Sequence, residues 1–267
     1  MLDIKNNQFL NKDEIRNRAN SIFTTKGAPE TSDKYSHIPT EKIIDDMAAL
    51  GWGVVDAKQV KARKNKGFQK HLIVFRNNDI QITAEDGDDV FPQILLTNSH
   101  DGKNAFTFTA GLFRMVCENG LVIASTEFEK MKIRHMGYNF EELQNTIKSM
   151  VEKLPLTVES LNKFREVELN QEQALEFAKK ALECRFDETE MTSIDVDLND
   201  LLTAKRKEDQ GSDLWSIYNV IQEKLVHGDF SYQYGTKTRK ARKIKNFQQD
   251  MVLNEKLYDL ALEYVPA

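Results

Sequence analysis

Ala105-Phe-Thr-Phe-Thr-Ala110-Gly-Leu-Phe-Arg-Met-Val116 is the stretch from which the fold is read. Phe106, Phe108, Ala110 and Leu112 fall on one side of an extended chain, and Thr107 and Thr109 on the other. That period of two belongs to a strand with one face in a core. The same period extends towards the N-terminus. Leu72, Val74 and Arg76 alternate against Ile73 and Phe75, and Ile80-Gln-Ile82-Thr and Val90-Phe-Pro-Gln-Ile94-Leu-Leu-Thr97 follow. Pro92 marks an edge or a strand start. Towards the C-terminus, residues 121–125 and 128–135 read as further strands. Asn77-Asn78, Asp86-Gly87, Asp101-Gly102 and Asn119-Gly120 are turn pairs, so the region is a mostly antiparallel sheet of about five to seven strands.

On either side the period becomes helical. Ile15, Ala19 and Ile22 predict a short helix, and the turn-rich residues 24–39 an exposed connection. Ile43, Ile44, Met47 and Leu50 form the stripe of a helix that Thr40 can cap and Gly51 ends. From Asn139 onward almost everything is helix. Asn139 with Glu142 and Asn170 with Gln173 have capping-box spacing. Pro155 is expected to stop the first of these helices, with a short one carrying Leu161 and Phe164 next. Leu214, Tyr218, Ile221 and Leu225 stripe a strong helix, with Trp215 beside the stripe, and Leu253, Leu257, Leu260 and Tyr264 the last. Strands first and helices after mean α+β: a β-β-β-α-like sheet core in the N-terminal half, then a helical C-terminal half. The expected divisions are 1–36 (helix and linker), 37–165 (sheet core) and 166–267 (helical region with a basic segment and a terminal helix).

Composition bounds the function. The chain has 267 residues, 40% apolar and 30% charged, which is enough to bury a real core. Two Cys argue against a disulfide scaffold and fit a reducing compartment. No apolar run approaches a membrane span, and the polar N-terminus lacks the apolar core of a signal peptide. A cytoplasmic protein is therefore expected.

The net charge of −5 hides segregated blocks. Residues 57–76 carry Lys58, Lys61, Arg63, Lys64, Lys66, Lys70 and Arg76 with no acid. Residues 77–101 carry Asp79, Glu85, Asp86, Asp88, Asp89 and Asp101 with no base. Residues 237–245 carry Lys237, Arg239, Lys240, Arg242, Lys243 and Lys245, again with no acid. Cations at phosphates release counterions and bind any sequence in a salt-sensitive way. Phe68 lies in the first basic block, and Phe230, Tyr232, Tyr234 and Phe247 surround the second. Cations interleaved with rings are what single-strand binding needs. The bland alternative is a solvated loop and a solvated helix face.

Other chemistry is sparse. His100-Asp101 and Cys117 are the residues an acid–base or thiol mechanism would use. Adjacent residues on an extended chain point apart, however, and a buried Cys is more often inert. The five His are scattered without paired ligand spacing, and Asp86-Gly-Asp88-Asp89 lacks the later Glu of a calcium loop. There is no phosphate-binding Gly-rich loop or dinucleotide fingerprint. No metal or cofactor is expected.

Asn98-Ser-His100-Asp101-Gly102, followed after a strand by Arg114-Met-Val-Cys117-Glu-Asn119-Gly120, resembles the N-S-H-D-G … R-x-V-C-x-N-G pattern of the phage/plasmid-like family called domain of unknown function nine-three-two. Ile38-Pro-Thr40 with Leu50-Gly-Trp52, and the helix Leu214-Trp-Ser-Ile-Tyr218-Asn219, are similar to its flanks. The resemblance covers about residues 37–230. It implies a mobile-element setting and supplies no catalytic residues. The order of strands then helix also resembles the core of single-strand annealing proteins, at the level of fold alone.

These features predict a non-enzymatic nucleic-acid-binding protein, for single-stranded DNA in recombination or replication of a phage, plasmid or other mobile element. Lys61, Arg63, Lys64, Lys66 and Lys70 would hold phosphates from one side, and Lys237, Arg239, Lys240, Arg242 and Lys243 from the other. Phe68, Tyr232 or Tyr234 would stack on bases. A ring or filament of copies would repeat a small basic patch along a strand, so homo-oligomerisation is an expectation. The alternatives are a module that binds a host protein through its acidic surfaces, and a hydrolase or nuclease using His100, Asp101 and Cys117.

Overall fold

Backbone alternation and helical stripes build two units in this computed structural model, Met1–Leu154 and Pro155–Ala267. The structure describes residues 9–33, 35–62, 66–80, 90–104, 106–114, 119–122, 131–133 and 139–266.

In the first unit, α1 (Lys12–Arg18) starts at Asn11, whose side chain and that of Glu14 form a reciprocal capping box. A 3₁₀ turn, Asn20–Phe23, follows, with Ser21, Ile22 and Phe23 buried. The segment 24–39 is not wholly exposed as expected. Ala28 and Ile38 are buried, and the Ala28 amide donates to the His100 carbonyl at 2.7 Å. Those two apolar side chains hold the turn-rich chain against the core. The helix α2 (Thr40–Ala49) then buries Ile43, Ile44 and Met47.

The sheet follows: β1 (Gly53–Gln59), β2 (His71–Arg76), β3 (Val90–Asn98), β4 (Phe106–Arg114), β5 (Asn119–Val122) and β6 (Met131–Ile133). Its described strands run in the order β1-β2-β3-β4-β5, all antiparallel, and β6 also pairs with β4. Phe106, Phe108 and Ala110 are buried, as the alternation requires. The strand β2, flanked by β1 and β3, is buried on both faces, Arg76 included. Asn119 and Gly120 are not a turn: they open β5, opposite Arg114 and Phe113.

The helix α3 (Phe140–Glu166) runs through Pro155 rather than stopping there. An interior proline costs about 3 kcal/mol. Leu161 and Phe164, on the downstream stripe, are both buried. Each contributes roughly 1.5–3 kcal/mol, enough together to offset the proline. The proline nonetheless coincides with the boundary between the two units.

The second unit continues with α4 (Gln171–Arg185), capped by Asn170 and Gln173, then α5 (Glu188–Met191), β7 (Ile194–Val196) and α6 (Leu198–Leu202). Next come α7 (Leu214–His227), β8 (Ser231–Tyr234), β9 (Lys237–Lys240) and α8 (Phe247–Leu262). The central helix is α7. Every residue from Leu214 to Val226 is buried, so it is surrounded by protein rather than striped. Four of its buried polar side chains have partners: Asn219 donates to the Trp215 carbonyl at 2.7 Å and Gln222 to Asn254 Oδ1 at 2.7 Å. Glu223 is held by Arg206, and Lys224 donates to the Asp200 carbonyl. Trp215 and Tyr218, one turn apart, stack with rings 6.2 Å apart. No described helix is long and apolar enough to cross a membrane.

Candidate functional site

The segment Asn98–Gly102 leaves the end of β3 and turns into the interior. Asn98, Ser99 and His100 are fully buried. Asn98 Nδ2 donates to Thr40 Oγ1 at 2.9 Å, and its Oδ1 accepts the Ser99 amide at 2.8 Å. The His100 amide donates to the Phe68 carbonyl at 3.1 Å. Ser99 Oγ donates to Asp101 Oδ1 at 2.6 Å, and the same oxygen accepts the Lys103 amide at 3.1 Å. Gly102 takes φ +71°, where a side chain would be strained. Asp101 also faces Tyr35, whose hydroxyl is pushed up to about 12 by burial and then by that carboxylate. His100 and Asp101, neighbours in sequence, thus serve different partners.

Thr40 is the meeting point, and it does not cap α2: the N-cap residue is Pro39, with no side-chain cap bond. The Thr40 hydroxyl lies 3.1 Å from His71 Nε2 and 3.4 Å from His100 Nε2. His71 Nδ1 lies 3.1 Å from the Gln69 carbonyl and 3.2 Å from Ser21 Oγ. A carbonyl only accepts, so His71 carries its proton on Nδ1. Its bare Nε2 then accepts a hydrogen bond from the Thr40 hydroxyl. Thr40 Oγ1 is left to accept from Asn98 and from His100 Nε2–H, which fills both lone pairs. Burial draws His71 down to about 4, against a smaller opposing effect of the Gln69 carbonyl. His71 is therefore neutral at pH 7. With its proton on the side facing Ser21, it does not act as a base towards that hydroxyl. The rings of His37 and His100 lie 4.6 Å apart and those of His71 and His100 5.1 Å apart. No described group of His, Cys, Asp or Glu has the arrangement of a metal site.

The basic blocks fall in different units. In the first unit, Lys61 and Lys66 are exposed and line a cleft of about 490 Å³ together with Ser21, Gln59 and Gln69. Phe68 and Lys70 are half-buried. Arg63 and Lys64 lie outside the described residues. So do Cys117, His135 and the acidic run 85–89 with its calcium-like pattern. The side chains of Arg114, Asn119 and Gly120 are likewise outside the described set.

In the second unit, the first part of the basic block, Lys237–Lys240, is a strand of a hairpin and not a helix face. Strands β8 and β9 pair with Tyr232 opposite Arg239 and Tyr234 opposite Lys237. Directly opposed residues share a face, so Tyr232, Tyr234, Lys237 and Arg239 lie on one side. Gln233 and Thr238 lie on the other, bonded to each other at 2.8 Å. Gly235, at φ +60°, opens the two-residue loop, as such turns demand. The Arg239 guanidinium sits 4.3 Å above the Tyr234 ring, and Tyr234 is 44% exposed. Among the described residues, neither Lys237 nor Arg239 has a carboxylate within ion-pair reach. Lys240 departs from the group: it faces the other way and pairs with Asp229 at 3.5 Å.

Two residues not singled out from the sequence extend this face. Phe186 packs 6.0 Å from the Tyr232 ring. Arg185 lies 5.3 Å from the Phe230 ring and donates to the carbonyls of Leu225 and Arg242, the latter at 2.6 Å. Both border a cleft of about 620 Å³ that Arg242, Lys243 and Lys245 also line. Their only sequence signal is a cation beside an aromatic at the end of a helical stripe.

The family model described as Domain of unknown function (DUF932) matches residues 30–258. Two Escherichia coli (strain K12) proteins, UPF0380 protein YafZ and UPF0380 protein YfjQ, are each 28% identical to the chain, over 264 and 265 residues. Each alignment covers 97% of the chain and 92% of the relative. No solved structure matches.

Proposed function

The chain belongs to the DUF932 family, a domain of unknown function, and we propose that it binds single-stranded nucleic acid, DNA in the first instance, without catalysing a reaction. The observation that carries this reading is the shared hairpin face of Tyr232, Tyr234, Lys237 and Arg239. Two rings offer stacking surfaces to bases, and two cations with no carboxylate beside them offer charge to phosphates. The Arg185–Phe186 pair and the cleft bordered by Arg242 and Lys243 supply the continuation of the path. The setting is DNA recombination or replication in a phage, plasmid or other mobile element, which rests on the family resemblance.

Fluorescence anisotropy with a labelled oligothymidylate at low salt tests it. Tyr232→Ala/Tyr234→Ala should weaken binding by roughly tenfold or more, because each stacked base contributes ~1–3 kcal/mol. These side chains are exposed or half-buried, so the melting temperature should hold. Absence of binding at low salt, or equal binding by the variant, would falsify the reading.

A further inference from the structure

We propose that the cleft in the first unit binds a phosphorylated small molecule of about mononucleotide size, independently of the hairpin. Its volume of about 490 Å³ lies within the usual range of small-ligand sites. Its lining carries hydrogen-bond donors and no carboxylate. Lys61 and Lys66 bring two ammonium groups.

The two glutamines are oriented by the backbone. Gln59 Oε1 accepts the Ser21 amide at 3.0 Å, and Gln69 Oε1 accepts the Gly67 amide at 2.5 Å. An amide proton needs an oxygen, so each carboxamide has its oxygen committed to the backbone and its NH₂ as the remaining group. Among the described residues, neither NH₂ has a protein partner. Two ammonium groups and two amide NH₂ groups therefore line one concavity. A phosphoryl group, which offers only acceptors and carries charge, matches that inventory. A cationic ligand does not, and a neutral one leaves the two ammonium groups without a counter-charge.

The test is isothermal titration of the full chain with a nucleoside monophosphate, with inorganic pyrophosphate and with the unphosphorylated nucleoside. The first two should bind saturably, and the nucleoside at least about tenfold more weakly. Gln59→Glu/Gln69→Glu keeps both oxygens on their backbone amides and replaces only the NH₂ groups by acceptors. Its melting curve should match the parent while affinity falls by at least about tenfold. Lys61→Ala/Lys66→Ala should lose binding similarly, and Tyr232→Ala/Tyr234→Ala should leave it unchanged. No saturable binding of either anion at low ionic strength, or unchanged affinity in the folded double Glu variant, overturns the proposal. So does displacement of the nucleotide by an oligonucleotide in the tyrosine variant, which would assign the phosphate to a strand instead.

Discussion

Thr40 shows how much a single side chain means something different in space than in sequence. Before a helical stripe, a threonine reads as an N-cap. Here its hydroxyl is fully buried and shared by Asn98, His71 and His100, which arrive from β3, β2 and the turn after β3. The reason is that buried polar groups must find partners, and a hydroxyl with one proton and two lone pairs satisfies three at once. His71 sets the pH consequence. It titrates at about 4 in the fold against 6.5 for an unhindered imidazole. The unfolded chain therefore takes up the proton first as the pH falls. The stability contribution is complete above about pH 6.5, shrinks as the pH drops, and is gone below about pH 4. The gap corresponds to about 3 kcal/mol. Urea midpoints measured across that window should fall accordingly, and His71→Gln should flatten the fall. A pH-independent midpoint would show that His71 is not held neutral.

At the scale of elements, the hairpin of β8 and β9 decides what the second basic block can do. Six cations in nine residues read as a phosphate-binding surface or, more blandly, as a solvated helix face. The overlooked signal was Tyr232-Gln-Tyr234-Gly235-Thr236-Lys-Thr238-Arg239: alternating strand formers around a glycine. Gly228 places this hairpin. It ends α7 at φ +70°, and a Cβ there would come within 2.4 Å of the Arg242 carbonyl carbon. Gly235 has φ +60° but nothing within 4 Å of a Cβ. Gly235→Ala should thus cost only the left-handed conformation, about 1 kcal/mol, whereas Gly228→Ala adds a backbone clash and should cost about 3 kcal/mol or more. Urea denaturation of the two variants measures the difference. Equal losses would mean that the Arg242 backbone gives way.

For the whole molecule, a net charge of −5 and a local cationic face coexist because charge acts through its placement. Nucleic-acid affinity should therefore fall steeply with salt despite the acidic total. Removing Lys237 and Arg239 together should reduce the slope of log affinity against log salt by about 1.4, at ~0.7 per phosphate contact on a single strand. A salt titration of the parent and Lys237→Ala/Arg239→Ala reads this directly, and identical slopes would place the phosphate contacts elsewhere.

The α+β order, the strand Phe106–Arg114, the capping box at Asn170 and the helix at Leu214 were all legible in one dimension. Alternation, stripes and caps are local, and each is written within a few residues. The run of α3 through Pro155, the sharing of Thr40, the Lys240–Asp229 pair and the donor-lined cleft were not. Each depends on residues far apart in the chain meeting in the interior or across a strand pair. There, burial and the need to satisfy every buried polar group outweigh the preference that any one residue shows alone.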